Sequence, residues 1–417
     1  MRWQRVPAYP VWMVYIGVWS FIGTLSWTTT AVYFIRDVGM SPLQLVLAGT
    51  ALELAYFLFE IPTGIVADLY SRRFSMIIAA VVSGAGMILI GAVPAVAAVL
   101  TGMALWGFGW TFRSGAQDAW LADEVGGDRL GPAYQRGAQV GRVAGLLGIV
   151  AAVALALIDL QLPLVVAGCT ALLLAVFIAT AMPEHGFARP ERATNHLNAV
   201  ADTAREGSRL VKASPILLLV LGIFFFLGAW AEGFDRLWEA QLLLEVGLPD
   251  VAGLGDVIWF GIFGATTLVL SFAVAAPLVK RTENLHDARL AKLLLVMHAV
   301  LMVCALGFAL AGSLWLAAIA YLATTVVRDL TGPPFQAWLN GTITDSSIRA
   351  TVLSITSIAG SAGEWSGGPA LGAVGNRWGV RTALAGGAML LAPTLLLFAR
   401  AVRHHGVEPE LAEARRV

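Results

Sequence analysis

The stretch Glu232-Gly233-Phe234-Asp235-Arg236-Leu237-Trp238-Glu239 puts two carboxylates and a guanidinium on one helical face, because residues three and four apart are neighbours on an α-helix. It lies in a long apolar run, where an ionisable side chain costs roughly 3 kcal/mol or more and so normally faces a cavity or a partner. A carboxylate held there can alternate between carrying a proton and admitting a polar substrate. The plainer role for Arg236 is to neutralise Glu232 or Asp235 near the outer end of the helix, and the residues alone leave both roles open.

Other charges interrupt apolar runs in the same way. Glu53 and Glu60 are seven apart and share a helical face; Arg113, Gln117 and Asp118 form a second polar patch, with Arg113 and Gln117 one turn apart. Arg328 and Asp329 precede Gly332-Pro333-Pro334, which is expected to kink or break its helix, and Glu364 sits between Gly363 and Gly367. These residues are candidates for proton coupling or for the wall of a substrate cavity. Cys169 and Cys304 stand in apolar runs without His or Cys at metal-ligand spacing and read as buried small hydrophobes. No metal or other cofactor is expected. No Ser/His/Asp or His-Glu-x-x-His arrangement falls in a span, which argues against an enzyme, and no Gly-x-x-x-x-Gly-Lys-Ser/Thr loop is present to bind ATP.

The elements that carry these charges must be membrane helices. Of the 417 residues 58% are hydrophobic and 13% charged, with a mean hydropathy of +0.77. The apolar runs are continuous, not alternating, and each is long enough for the roughly 20 residues that cross a bilayer core. Twelve spans are expected, over residues 10–35, 43–67, 74–92, 94–122, 135–158, 162–182, 214–240, 254–279, 288–310, 313–334, 348–374 and 380–401. The first run is too long for a cleaved signal peptide and reads as a retained helix. Residues 1–182 then form one six-helix bundle and 214–401 another, joined by a cytoplasmic linker over 183–213 and followed by a tail over 402–417. Within the linker, Asn195 to Lys212 has helical spacing of apolar residues and is best taken as a linker helix.

The net charge of zero hides an asymmetry. Arg2, Arg5, Arg72, Arg73, Arg129, Arg136, Arg142, Lys280, Arg281, Arg289, Lys292 and Arg349 fall on the side of the termini, and only Arg36, Arg377 and Arg381 fall opposite. The positive-inside rule then places both termini in the cytoplasm, in a plasma (inner) membrane. Arginine far outnumbers lysine and alanine is abundant, which points to a high-GC bacterial source. Nucleic acid is not an expected partner; a small molecule, protons and lipid are, for a monomer.

The two halves echo each other. Asp37-Val38-Gly39-Met40 matches Glu245-Val246-Gly247-Leu248, and the same offset lays Arg72-Arg73 on Lys280-Arg281. Ala119-Trp120-Leu121 recurs as Ala337-Trp338-Leu339. The common order supports a six-plus-six duplication, a known way of building a transporter around a mid-membrane site.

Across all twelve spans the chain resembles the major facilitator superfamily. Gly64-x-x-x-Asp68-x-x-x-Arg72-Arg73 is similar to that family's Gly-x-x-x-Asp-x-x-Gly-Arg-Arg/Lys loop, with Ser71 in place of the usual glycine. The resemblance implies an all-α fold of two six-helix bundles, and a gating role for Asp68 with Arg72 and Arg73 at the inner mouth. In the second half Ala276 stands where the aspartate would repeat. Glu60-Ile61-Pro62-Thr63-Gly64 extends the likeness toward the bacterial drug-exporter branches. The fifth-helix antiporter signature is partial: Gly137, Gly141, Gly145 and Gly148 lack its proline. Gly360, Gly363, Gly367, Gly368 and Gly372 mark the eleventh span, and both glycine runs are best taken as helix packing. The fourth-helix arginine motif is displaced at Arg113, and the first span has no central carboxylate, since Asp37 is at its outer end.

These features predict a secondary transporter, an exporter of small amphipathic drugs or natural products exchanged for protons by alternating access. Trp27, Trp106, Trp110, Trp230, Trp259 and Trp365 would suit lipophilic or cationic aromatic substrates if they face the cavity. The alternatives are a symporter or facilitator importing a sugar, organic acid or other metabolite, and a non-transporting receptor or scaffold.

Overall fold

The computed structural model describes residues 7–187, 214–251, 255–282, 287–343 and 349–414. It is helical throughout, with no strand among the described residues. In chain order the helices are α1 (Ala8–Trp27), α2 (Thr30–Arg36), α3 (Pro42–Leu69), α4 (Arg72–Ala92), α5 (Val96–Val125), α6 (Gly127–Ala156) and α7 (Leu162–Ala181). After the linker come α8 (Pro215–Ala240), a π-helical turn (Gln241–Val246), α9 (Val257–Thr282), α10 (Asp287–Ala309), α11 (Leu314–Thr342), α12 (Arg349–Trp378), α13 (Val380–Met389) and α14 (Ala392–Ala414). Among the described residues, nine of these stretches are long and apolar enough to cross a membrane on length and composition alone. Of the others, α5 and α12 carry Arg113 and Glu364 together with several glycines, which lower their hydropathy.

Five expectations need correction. The first span is two helices, because Thr28 bonds back to the Thr24 carbonyl at 2.6 Å and Thr30 to that of Ser26, competing with the helical ladder. The twelfth span breaks at Leu390-Leu391, where Pro393 cannot continue the preceding turn. The tenth is not broken by Pro333-Pro334: α11 runs on to Thr342, and Pro334 packs among buried neighbours that let a membrane helix accommodate it. Cys169 is exposed on the outside of its helix instead of buried. The fifth span also starts well before residue 135, behind Gly126, whose φ of +82° ends α5. The linker helix over 195–212 lies outside the described residues, as do the side chains of Ala276, Lys280, Arg281 and Arg349.

The described chain forms two compact units, residues 1–194 with 249–265, and residues 195–248 with 266–417. The division passes through α9, whose start belongs with the first unit. Asp256 pairs with Arg36 there, and Gly261 and Gly264 lie against Val153 and Ile149. In the first unit α1 packs on α6, and α4 on both α5 and α7. The second unit repeats the scheme: α8 packs on α12, and α10 on both α11 and α14. The matched glycines Gly39 and Gly247 share a left-handed conformation, φ +70° and +78°, which only glycine adopts without strain. Trp120 and Trp338 of the repeated tripeptide are both fully buried. The duplication is therefore structural as well as sequential.

Outward faces are apolar: Ile158, Leu173, Val176, Trp315 and Leu396 are among the exposed side chains. That inversion of the soluble pattern fits lipid as the solvent.

Candidate functional site

In the second unit, α8 and α11 bring the sequence-predicted charges together. Asp235 accepts two hydrogen bonds from Arg328, at 2.5 and 2.9 Å, and Glu232 accepts from Arg236 at 3.0 Å. Each guanidinium thus takes a separate carboxylate, so Arg236 neutralises Glu232 one turn back while Asp235 ties α8 to α11. Arg328 also lies over the Trp230 ring, 5.4 Å from its centroid. Beside this network is a cavity of about 280 Å³, lined by Trp230, His298, Arg328, Phe335, Gln336 and Glu364 among others. Glu364 therefore meets the same space as Arg328, although the two come from different helices. Asp329, the residue after Arg328, turns away and accepts from Ser271 at 2.5 Å. The lining combines flat apolar rings with a few convergent polar groups, the composition of a small-molecule pocket.

Close helix packing frames this site. A Cβ at Gly363 would come 2.0 Å from the Phe225 carbonyl oxygen, and one at Gly228 would come 2.2 Å from that of Gly360. Helices α8 and α12 therefore touch backbone to backbone, as small-residue spacing predicts. The glycines of α6 do the same for α1: a Cβ at Gly148 would strike the Thr24 hydroxyl and the Phe21 carbonyl.

The first unit holds a different arrangement. Trp12, Tyr15 and Trp19 stack in succession along α1, and Trp19 stacks on Trp106 of α5 with centroids 5.9 Å apart. Arg113, 8% exposed, lies between Trp19 and Trp110, 4.6 Å from each ring. Its Nε donates to Gln117 at 2.9 Å, and the Tyr15 hydroxyl bonds the same amide oxygen at 3.2 Å. Asp118 is exposed and accepts from Tyr134, so it joins the patch in sequence but not in an ion pair with Arg113. Glu60 accepts from Ser114 at 3.1 Å through one oxygen, and its other oxygen is buried with no hydrogen-bond partner. Glu53 lies half-buried on the same helix.

At the loop motif, Asp68 is exposed and makes no ion pair or side-chain hydrogen bond among the described residues. Arg72 instead pairs with Asp123 and donates to the Ala119 carbonyl at 2.6 Å, fastening α4 to α5. Ser71, the departure from the family pattern, caps α4 by accepting from the Phe74 amide at 3.0 Å. Its hydroxyl and the Arg73 amide both donate to Glu184, at 2.7 and 2.9 Å, so a carboxylate sits at the positive end of α4. Glu184→Gln is expected to lower stability by about 1 kcal/mol, seen as a fall in the melting temperature of the detergent-solubilised protein. An unchanged melting temperature would show that this cap contributes nothing. Around Gly64 a Cβ would meet no other atom, so that glycine is not held there by packing.

Sequence reasoning missed His298, Glu184, Asp123, Tyr15 and Trp19. His298 was findable, since no Asp, Glu, Lys or Arg and no other His stands between Lys292 and Arg328; it is buried, with Nδ1 2.8 Å from the Leu294 carbonyl. Tyr15 and Trp19 were findable as a helical stripe with Trp12. Nothing local marks Glu184, which acts across more than a hundred residues.

Nine described stretches long and apolar enough to cross a membrane, a repeated half and a pocket of mixed aromatic and charged lining define a multi-pass membrane protein built to handle small molecules. The sequence profile of the Major Facilitator Superfamily matches residues 11–368, and the chain belongs to that family. YxaM of Bacillus subtilis, an uncharacterized MFS-type transporter, is 22% identical over 356 residues, 85% of this chain and 86% of that protein. Among solved structures, the nucleoside transporter NupG superposes with a TM-score of 0.76 at 13% identity, covering 95% of this chain and 99% of that one. A bacterial homologue of the human lysosomal transporter Spinster gives 0.67 at 16% identity, covering 95% of each chain. At such identities the likeness establishes the fold alone.

Proposed function

We propose that the protein is a secondary active exporter that exchanges small amphipathic molecules for protons. The observation that carries this reading is the pairing of Asp235 with Arg328 and of Glu232 with Arg236 beside a cavity that Glu364 also lines. Protonating either carboxylate removes one side of a charge pair, and the freed guanidinium changes both the field and the hydrogen bonding in the cavity wall. Glu232, Asp235 and Glu364 are the proton-carrying candidates in this scheme. The transport halves are residues 1–182 and 214–401, with both termini cytoplasmic in a bacterial inner membrane and the monomer as the working unit. Asp68, with Arg72 and Arg73, serves as the inner gate, and the outward direction rests on the exporter-like Glu60-to-Arg73 stretch.

Cells preloaded with two dyes, cationic ethidium and anionic 8-anilinonaphthalene-1-sulfonate, test the reading. Cells making the protein should lose at least one dye faster than cells without it, and a protonophore should abolish the difference. Loss unaffected by the protonophore excludes proton exchange, and faster gain of dye points to uptake instead.

A further inference from the structure

Arg113, buried in α5, makes no ion pair among the described residues. Arg236 has Glu232, Arg328 has Asp235, and Arg36 has Asp256. Arg113 has only neutral neighbours in contact: the Gln117 amide, the Tyr15 hydroxyl and the faces of Trp19 and Trp110. Asp118, on the same helix, adds a favourable field but bonds Tyr134, and Glu60 of α3 accepts from Ser114. Taking a guanidinium out of water costs more than indole faces and one amide return. The Gln117 amide oxygen takes Nε, and the Tyr15 hydroxyl lies against the guanidinium as well. Trp110 on one side of Arg113 is 38% exposed.

We infer that Arg113 is the recognition point for an anionic group, and that the ligand is a flat aromatic or amphipathic organic acid whose apolar part lies on Trp110. The guanidinium fork matches a carboxylate, sulfonate or phosphonate with two parallel hydrogen bonds, and its plane is already fixed between two rings. A ligand anion supplies the charge that the fold leaves out. This rests on the reading that the chain carries amphipathic small molecules, and it decides their charge: the guanidinium between Trp19 and Trp110 favours acids, whereas aromatic rings alone would favour cations.

The test is equilibrium binding to the full-length protein in detergent, without any gradient, by titration calorimetry. The probes are 1-naphthoate, its neutral isostere 1-naphthamide, and cationic 1-naphthylmethylammonium. Naphthoate should bind at least about tenfold more tightly than the other two, the effect of one charge-assisted bidentate contact. In Arg113→Gln the ratio of naphthoate to naphthamide affinity should fall to near one with naphthamide binding retained, and Arg113→Lys should fall between. Trp110→Ala should weaken naphthoate and naphthamide alike. Equal affinities in the wild-type protein, a preference for the cation, no naphthoate binding at millimolar concentration, or a ratio kept in Arg113→Gln would each overturn the assignment, and the wild-type comparison decides even where a variant does not fold. Proton-gradient transport that fails while the ratio holds removes the coupling and leaves the site.

Discussion

Gly363→Ala is expected to destabilise the protein by about 2 kcal/mol or more, although it adds a single methyl group. The new Cβ would lie 2.0 Å from the Phe225 carbonyl oxygen and 2.9 Å from the Ala229 amide nitrogen. Both are backbone atoms of α8, so no rotamer change relieves the contact and the two helices must separate. Separation would also open the wall beside Trp230 and Glu364, which these helices carry into the cavity. Gly360→Ala supplies the control. Its Cβ would meet nothing nearer than Phe224 Cδ1 at 3.7 Å, an ordinary contact, and the variant should melt within a degree or so of the wild type. Thermal unfolding of both purified variants checks the pair. Equal melting temperatures would mean that α8 and α12 are not packed backbone to backbone.

The second large effect is expected at Asp235. Asp235→Asn leaves Arg328 without its bidentate partner at the cavity wall, and uphill transport driven by a proton gradient should fall by about tenfold or more, equivalent to about 1.4 kcal/mol. Asp329→Asn, one residue from Arg328 but bonded to Ser271, should fall far less. Exchanging the partners, Asp235→Arg with Arg328→Asp, should recover part of the lost rate if the pair itself is what matters. If the two single carboxylate variants are equally impaired, the pairing seen between α8 and α11 has no special part in coupling.

The fold was almost entirely legible in the sequence because lipid demands long apolar helices, and their count and order survive errors of several residues at each end. What was not legible came from backbone competition: three consecutive threonines split the first span, and Pro393 split the last, while Pro333-Pro334 did not break the tenth. The charged residues of the site were visible as violations of hydropathy, and Glu232, Asp235, Arg328 and Glu364 were all named from that signal alone. Their partners were not. Spacing along one helix fixes which face a residue shares, but Asp235 meets Arg328 across 93 positions of chain. The same limit hid Glu184, and it left Arg113 looking like one member of an ordinary polar patch when its guanidinium lies between the Trp19 and Trp110 rings. Gly39 and Gly247 show the opposite case, where a weak four-residue match foretold a shared left-handed turn.

Reconstituted liposomes carrying only the purified protein test the central claim most directly. With an imposed pH gradient, acid on the side that accumulates dye, the protein should concentrate 8-anilinonaphthalene-1-sulfonate against its own gradient, and collapsing the pH difference should release it. Movement that runs only down the dye gradient, at a rate indifferent to the pH difference, would contradict proton-driven transport by this chain.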